Sequence, residues 1–293
     1  MSKYLNITDK MVLGTAQFGM DYGIANVSGK PTKKDVFNIL SLAWERGVWK
    51  FDTAPGYSSE SLLGEFISTN GLQDKVKVLT KIPSLDGLSD YETIIIKSIA
   101  LSLKNLGCPI DVLFFHNPND SILLLKAPEF FDGLLHDYPI SSLGVSVYEP
   151  NDVEKLLGCP LELAFQFPFN VLDRRFEKVE MTAGKRYARS IFLQGLLASA
   201  DGLRSDAPKE LLVLQKEYRN MSAFYHLDPI SVAISFAIIS DLVDHFLIGV
   251  DSVSQLNEII KFDQYDQNEM ANIDLESLNI NDYWLDPRNW SLV

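Results

Sequence analysis

LGCPIDVLFF, residues 106–115, and LGCPLELAFQF, residues 157–167, carry one punctuation twice, with their cysteines fifty-one positions apart. In each, an amphipathic run reaches a Gly, which can close a helix in the left-handed conformation. The Pro that follows blocks further helix, and a run rich in apolar and aromatic residues then suits a strand. Fifty-one residues correspond to two strand-helix periods of ordinary length, so the pair predicts a repeated βα unit.

The rest of the chain keeps the same beat. Apolar runs with strand character stand at MVLGT (11–15), VWKFD (48–52), VKVLTK (76–81), DVLFFH (111–116), SLGVSV (142–147), LELAFQ (161–166), ARSIFL (188–193) and HFLIG (245–249). Between them, segments such as 34–45, 91–106 and 208–225 space their apolar residues three and four apart, as helices do. Alternation of this kind requires crossover connections and a parallel sheet, and eight such units close into a (β/α)8 TIM barrel, an α/β fold. A doubly wound open sheet is the competitor. It is disfavoured because no strand leads into GxGxxG, and GTAQFG (14–19) lacks the Lys-Ser/Thr of a phosphate loop.

Composition sets the outer limits. The chain has 293 residues, 46% hydrophobic and 22% charged, enough to bury roughly three quarters of its unfolded surface. No linker, charge block or low-complexity run divides it, so residues 1–293 are expected to form one domain, with 263–293 a tail packed on the barrel through Trp284 and Trp290. A net charge of −13 argues against nucleic acid and anionic membranes as partners. Any anionic ligand must be held by local groups. The opening MSKYLNITDK has no apolar signal core and the longest apolar stretch, 230–239, is too short to span a bilayer, so the cytoplasm is the expected compartment. Cys108 and Cys159 form no CxxC, and His116, His136, His226 and His245 form no HxH or HxxxH, so no metal is expected.

In a parallel barrel the loops after the strands meet at one rim, and active sites are built there. The second strand ends in Asp52, the third in Lys81 and the fourth in His116; the fifth and sixth finish near Ser146 and Gln166. Singly, each has a plain structural reading: Asp52 as a turn cap, Lys81 as a solvated strand end, His116 as a turn residue before Asn117-Pro118. An acid, a base and an imidazole closing three successive apolar runs point instead to chemistry.

GVWKFDTAPGYSSESLLGEFI (47–67), LTKIP (79–83) and DVLFFHNP (111–118), together with GTAQFG, GVSV (144–147), QFPFN (166–170), SIFLQGLL (190–197) and IGVDSVSQL (248–256), resemble the aldo-keto reductase family over nearly the whole chain. The resemblance implies an NAD(P)H-dependent oxidoreductase that reduces an aldehyde or ketone to an alcohol. It puts the catalytic aspartate, tyrosine, lysine and histidine on Asp52, Tyr57, Lys81 and His116. Tyrosine titrates near ~10 in isolation, so a neighbouring cation, Lys81, is expected to help it reach the phenolate.

The resemblance further implies Ser146 and Gln166 on the nicotinamide carboxamide, Gly14, Thr15, Ala16 and Asp52 beside the ring, and Ser190, Gly195, Gly249, Ser252 and Gln255 along the rest of the cofactor. Gln17, Met20, Tyr22 and Tyr148 would face the substrate, and their mixed character suits a sugar or another hydroxylated carbonyl compound. Two positions depart from the family. Val147 follows Ser146 where the family usually has Asn, and 187–192 reads YARSIF where a Tyr commonly stacks on the nicotinamide. The family default is NADPH. The loop 249–260 has no basic residue and includes Asp251, which leaves NADH open. A barrel that keeps the cofactor but serves as a regulatory sensor is the alternative from a different class.

Overall fold

The computed structural model describes residues 7–21, 23–24, 26, 29–85, 87–181, 184–198, 202–204, 206–262, 264–278 and 280–290. Eight parallel strands close in sequence order: β1 (Met11–Gly14), β2 (Lys50–Asp52), β3 (Lys77–Ile82), β4 (Ile110–Phe115), β5 (Ile140–Ser146), β6 (Leu163–Pro168), β7 (Arg186–Arg189) and β8 (His245–Gly249). β8 pairs with β1, Gly249 against Gly14, and so completes the barrel. Around it lie α1 (Lys33–Glu45), α2 (Glu60–Thr69), α3 (Tyr91–Leu106), α4 (Pro128–Asp137), α5 (Pro150–Glu154), α6 (Lys209–Phe224), α7 (Pro229–Ile239) and α8 (Val253–Ile260), with shorter helical turns between. Among the described residues no single helix is long and apolar enough to cross a membrane.

The first of the two repeated words folds as read. Gly107 ends α3 at φ 65°, its N–H donating to Leu103 O, and β4 starts directly after Pro109. The second differs. α5 ends at Glu154 and gives way to turns before Gly158, and β6 begins only at Leu163. Between β6 and β7 no helix forms among the described residues. There Asn170 Oδ1 accepts from the N–H groups of Leu172 and Asp173, and the fully buried Asp173 pairs with Arg175, which also reaches Glu149. Such side-chain turns compete with helix for the same backbone donors.

The seventh strand is the largest departure. The run at 188–193 predicts it, yet β7 is Arg186–Arg189, and the chain leaves the sheet at Ser190, whose φ is 60°. Ile191, Phe192 and Leu193 are buried in a turn outside the sheet, so their apolar character reports packing rather than pairing.

Two apolar shells result. The larger lies between the strands and the helices. The smaller fills the barrel and consists of Val12, Leu79, Val112, Phe114, Ala164 and Tyr187, with Leu247 against them. Side chains alternate across a strand, so the residue two steps beyond each inward apolar one also points inward, at the rim. From β1, β3, β4, β6, β7 and β8 these are Gly14, Lys81, His116, Gln166, Arg189 and Gly249. The C-terminal segment reaches the same rim. It is tied to α7 by Tyr265 N–H on Ser235 and brings the Arg288 guanidinium 3.5 Å from the ring centre of Tyr148, while Trp290 Nε1 donates to Trp284 O.

Candidate active site

Lys81 is 1% exposed and would be expelled from the barrel were its charge not met. Its Nζ donates to both Asp52 oxygens at 2.8 Å and to Thr53 O at 2.9 Å. Burial alone would lower its pKa, but Asp52, and behind it Tyr57, outweigh that effect, and the ammonium is held above its ordinary value. Asp52 also accepts from Gln166 Nε2 at 2.8 Å, and Gln166 Oε1 accepts from Ser146 Oγ at 3.4 Å. The charge pair is thus fixed from β6 and β5 as well as from β2 and β3.

Tyr57 is delivered by a short 3-10 turn, Pro55–Tyr57, which a Pro at its first position starts and a left-handed Ser58 ends. Its ring centre lies 4.9 Å from Lys81 Nζ and 6.0 Å from that of His116, the two rings meeting edge to face. Burial pushes the phenol upward, Lys81 pulls it down, and the net direction is up. The lysine moderates the phenol without making it a phenolate, so Tyr57 holds its proton at neutral pH. Burial, aided by the charge of Lys81 and to a lesser extent by that of Arg189, pushes His116 down to about 4 against the opposing effect of Asp52. The imidazole is therefore neutral and can donate one hydrogen bond while carrying no charge.

The turn is held from below. Thr15 is fully buried; its Oγ1 donates to Asp52 O and accepts from Ser59 Oγ, which in turn can accept from Thr53 Oγ1. Gly19 approaches so closely that a Cβ there would lie 1.6 Å from Tyr57 O. Glu60, 3% exposed, accepts from Thr80 Oγ1 on β3.

A cavity of about 800 Å³ opens beside Tyr57 and Asp52 and runs to the start of α8. Gly14, Ala16, Gln17, Gln166, Ser190, Gly195, Gly249, Ser252 and Gln255 all line it. Thr15 and Ser146 are buried and hydrogen-bond cavity-lining residues, Thr15 Oγ1 donating to Asp52 O and Ser146 Oγ to Gln166 Oε1, and Met20 sits on the surface at 40% exposure. Tyr148 packs between two arginines, and Tyr22 lies outside the described residues. Arg189, Ile191, Phe192 and Gln194 also line the cavity; the motifs pointed to their segment, through YARSIF and SIFLQGLL, but singled out none of the four. Arg189 had one signal, its place two residues beyond the inward Tyr187, which the misplaced strand concealed.

The far end is acidic. Asp35, Asp251 and Glu258 line it, with Lys30 as the nearby cation. Asp251 Oδ1 is buried with no hydrogen-bond partner, and burial, only partly offset by Gln255, pushes its pKa up to about 6.

The family model for the aldo/keto reductases matches residues 10–276. A putative voltage-gated potassium channel subunit beta of Schizosaccharomyces pombe is 32% identical over 130 residues, 40% of this chain and 37% of that protein. The human aflatoxin B1 aldehyde reductase member 2 is 28% identical over 144 residues, 45% of this chain and 40% of that protein. These alignments span well under half of either relative. Among solved structures, an aldo-keto reductase of Bacillus halodurans in its holo form superposes with a TM-score of 0.74 at 18% identity, covering 94% of this chain and 95% of that one. The glycerol dehydrogenase of Gluconobacter oxydans gives 0.69 at 21%, with coverages of 92% and 90%. At these identities the two structures speak for the fold.

Proposed function

Because the chain belongs to the aldo/keto reductase family, we propose that it reduces an aldehyde or ketone to an alcohol with a nicotinamide dinucleotide, Tyr57 giving the proton. The observation that carries this is the neutral, cavity-lining Tyr57 with the charged, buried Lys81 and the neutral His116 on either hand, 4.9 Å and 6.0 Å from its ring centre.

The cavity suits such a cofactor. It extends from the acid-base group past the small Gly14 and Ala16 to a helix start at Ser252, and polar side chains are spaced along it. When bound, the dinucleotide supplies the hydride. The rest falls to the protein. His116 donates a hydrogen bond to the substrate carbonyl oxygen and sets its angle, and Tyr57 passes its proton to that oxygen as negative charge develops. Lys81 stabilises the phenolate left behind, and Asp52 keeps Lys81 charged and aimed.

At the adenosine end, acids outnumber the one lysine. A ribose 2′-phosphate would meet repulsion from Asp251, whereas a 2′-hydroxyl could donate to it. We therefore read NADH as bound at least as tightly as NADPH, against the family default. The ratio of the two dissociation constants tests this: Asp251 loses its charge as pH falls through about 6, so any NADH advantage should shrink below that pH. A ratio favouring NADPH at pH 8 would reverse the assignment.

Tyr57→Phe keeps the ring and loses the proton. It is expected to bind NADH as the parent does while aldehyde turnover falls by on the order of 10²-fold or more. Undiminished turnover would remove Tyr57 from the mechanism. One relative carries a channel subunit's name, and this favours a second reading, a cofactor-loaded sensor for a partner protein. Cofactor binding without turnover across a broad panel of aldehydes and ketones would select it.

A further inference from the structure

Arg189 is a partly buried guanidinium that closes β7 and faces the cavity beside Tyr57 and Gln166. Among the described residues no carboxylate lies within ion-pair distance of it, although the chain carries 39 acidic residues. It is nevertheless held in place. Nη2 donates to Val147 O at 2.9 Å, Nη1 makes a long contact of 3.4 Å to Ser190 Oγ, and the guanidinium carbon lies 4.3 Å from the ring centre of Tyr148. Arg288 covers the same ring, but its charge is already answered by Asp286.

Asp286 feels the charge of Arg189 but lies beyond ion-pair distance, its carboxylate being engaged by Arg288. A partly desolvated guanidinium with no directly bonded carboxylate is unfavourable, and among the described residues its remaining N–H groups have no partner. The position is also specific. Arg189 is anchored to the loop after β5, and its charge reaches His116. Lys30 and Arg189 are the cationic side chains lining the cavity among the described residues, and only Arg189 stands at the catalytic end. In a protein of net charge −13, a fixed positive group beside the reacting carbonyl is what attracts an anion that the rest of the surface repels.

We propose that Arg189 binds an anionic group, a carboxylate or a phosphate, carried by the carbonyl substrate itself. The guanidinium presents a planar fork that such groups accept in bidentate fashion. Val147 belongs to this arrangement through its backbone carbonyl, which accepts from Arg189 Nη2, while its apolar side chain, where the family usually has Asn, adds no polar group of its own. The substrate class is then a carbonyl acid or a sugar phosphate rather than a neutral sugar. This rests on the reductase reading for its chemistry, but not for its binding test.

The test uses matched pairs: 4-oxobutanoate with butanal, and glyceraldehyde 3-phosphate with glyceraldehyde. Dissociation constants are measured by calorimetry on protein saturated with NAD⁺, where no reduction occurs, and kcat/KM with NADH separately. The anionic member of at least one pair is expected to bind tenfold or more tightly, the pair showing whether carboxylate or phosphate is preferred. In Arg189→Met that ratio should fall to near one, and in Arg189→Lys it should be partly kept, with the NADH dissociation constant unchanged in both. Equal binding within both pairs in the parent protein overturns the proposal. So does a loss of NADH affinity in Arg189→Met with the ratio intact, which would assign the arginine to the cofactor. Anion preference at equilibrium without turnover would leave the arginine's role standing and sink the reductase reading instead.

Discussion

At the scale of single residues, the site depends on a charge that the barrel could not hold alone. Lys81 is buried, and Asp52 neutralises it through two hydrogen bonds of 2.8 Å. Asp52→Ala would leave an unpaired buried ammonium, a change that typically costs 3–5 kcal/mol, so a loss of about that size is expected in urea denaturation. A loss below about 1 kcal/mol would mean that Lys81 escapes to solvent or sheds its proton. The histidines add a pH dependence. His116 and His245 are each pushed by burial to about 4 from 6.5. The unfolded chain binds more protons than the folded one between these values, so stability should be full above pH 6.5 and fall as pH drops toward 4. His116→Gln should flatten that slope relative to the parent; an identical slope would show that His116 titrates normally. The residue types at the ends of β2, β3 and β4 were readable from the chain because each closes an apolar run. The protonation of Tyr57 beside them was not, because the direction of its shift is decided by burial rather than by the neighbouring lysine.

At the scale of elements, the strands place the chemistry and the turns aim it. Period-two alternation carries the rim residues inward together, and this is legible wherever a strand is an unbroken apolar run, as in DVLFFH. It fails at β7. That strand is short and bounded by arginines, RYAR, while the apolar ARSIFL belongs to the turn that follows, so Arg189 reads in sequence as a solvated residue. Thr15 fails differently: it sits in the motif beside cavity-lining Gly14 and Ala16, yet its hydroxyl turns down to Asp52 and Ser59. Which way a side chain points after a strand ends is a matter of turn geometry that composition does not encode. The Tyr57 turn depends on Gly19. A methyl group there would have to displace the Tyr57 carbonyl, and misplacing a catalytic group by about 1 Å can cost on the order of 10²-fold. Gly19→Ala should therefore lower kcat by roughly that factor while the protein still folds and binds NADH. An unchanged kcat would show that the turn can shift without moving the phenol.

At the scale of the whole molecule, the 800 Å³ cavity is built by the closed eight-strand barrel, so a cofactor that binds there would be linked to folding. A ligand at a hundred times its dissociation constant adds about 2.7 kcal/mol to stability, so NADH should raise Tm measurably in both the parent and Tyr57→Phe. The barrel was legible from the alternation of strand-like and helix-like runs, whereas the lack of a helix among the described residues between β6 and β7 was not, because side-chain turns leave no periodic signal. Proton and hydride must move together in such a reduction, and one labelled experiment addresses both. NADH deuterated at C4 of the transferred face is mixed with an aldehyde at pH 7, and the alcohol is examined by mass spectrometry. One deuterium is expected on the former carbonyl carbon with the parent protein and almost none in the same time with Tyr57→Phe, although both bind the cofactor equally. Equal deuterium transfer by the two proteins would contradict this.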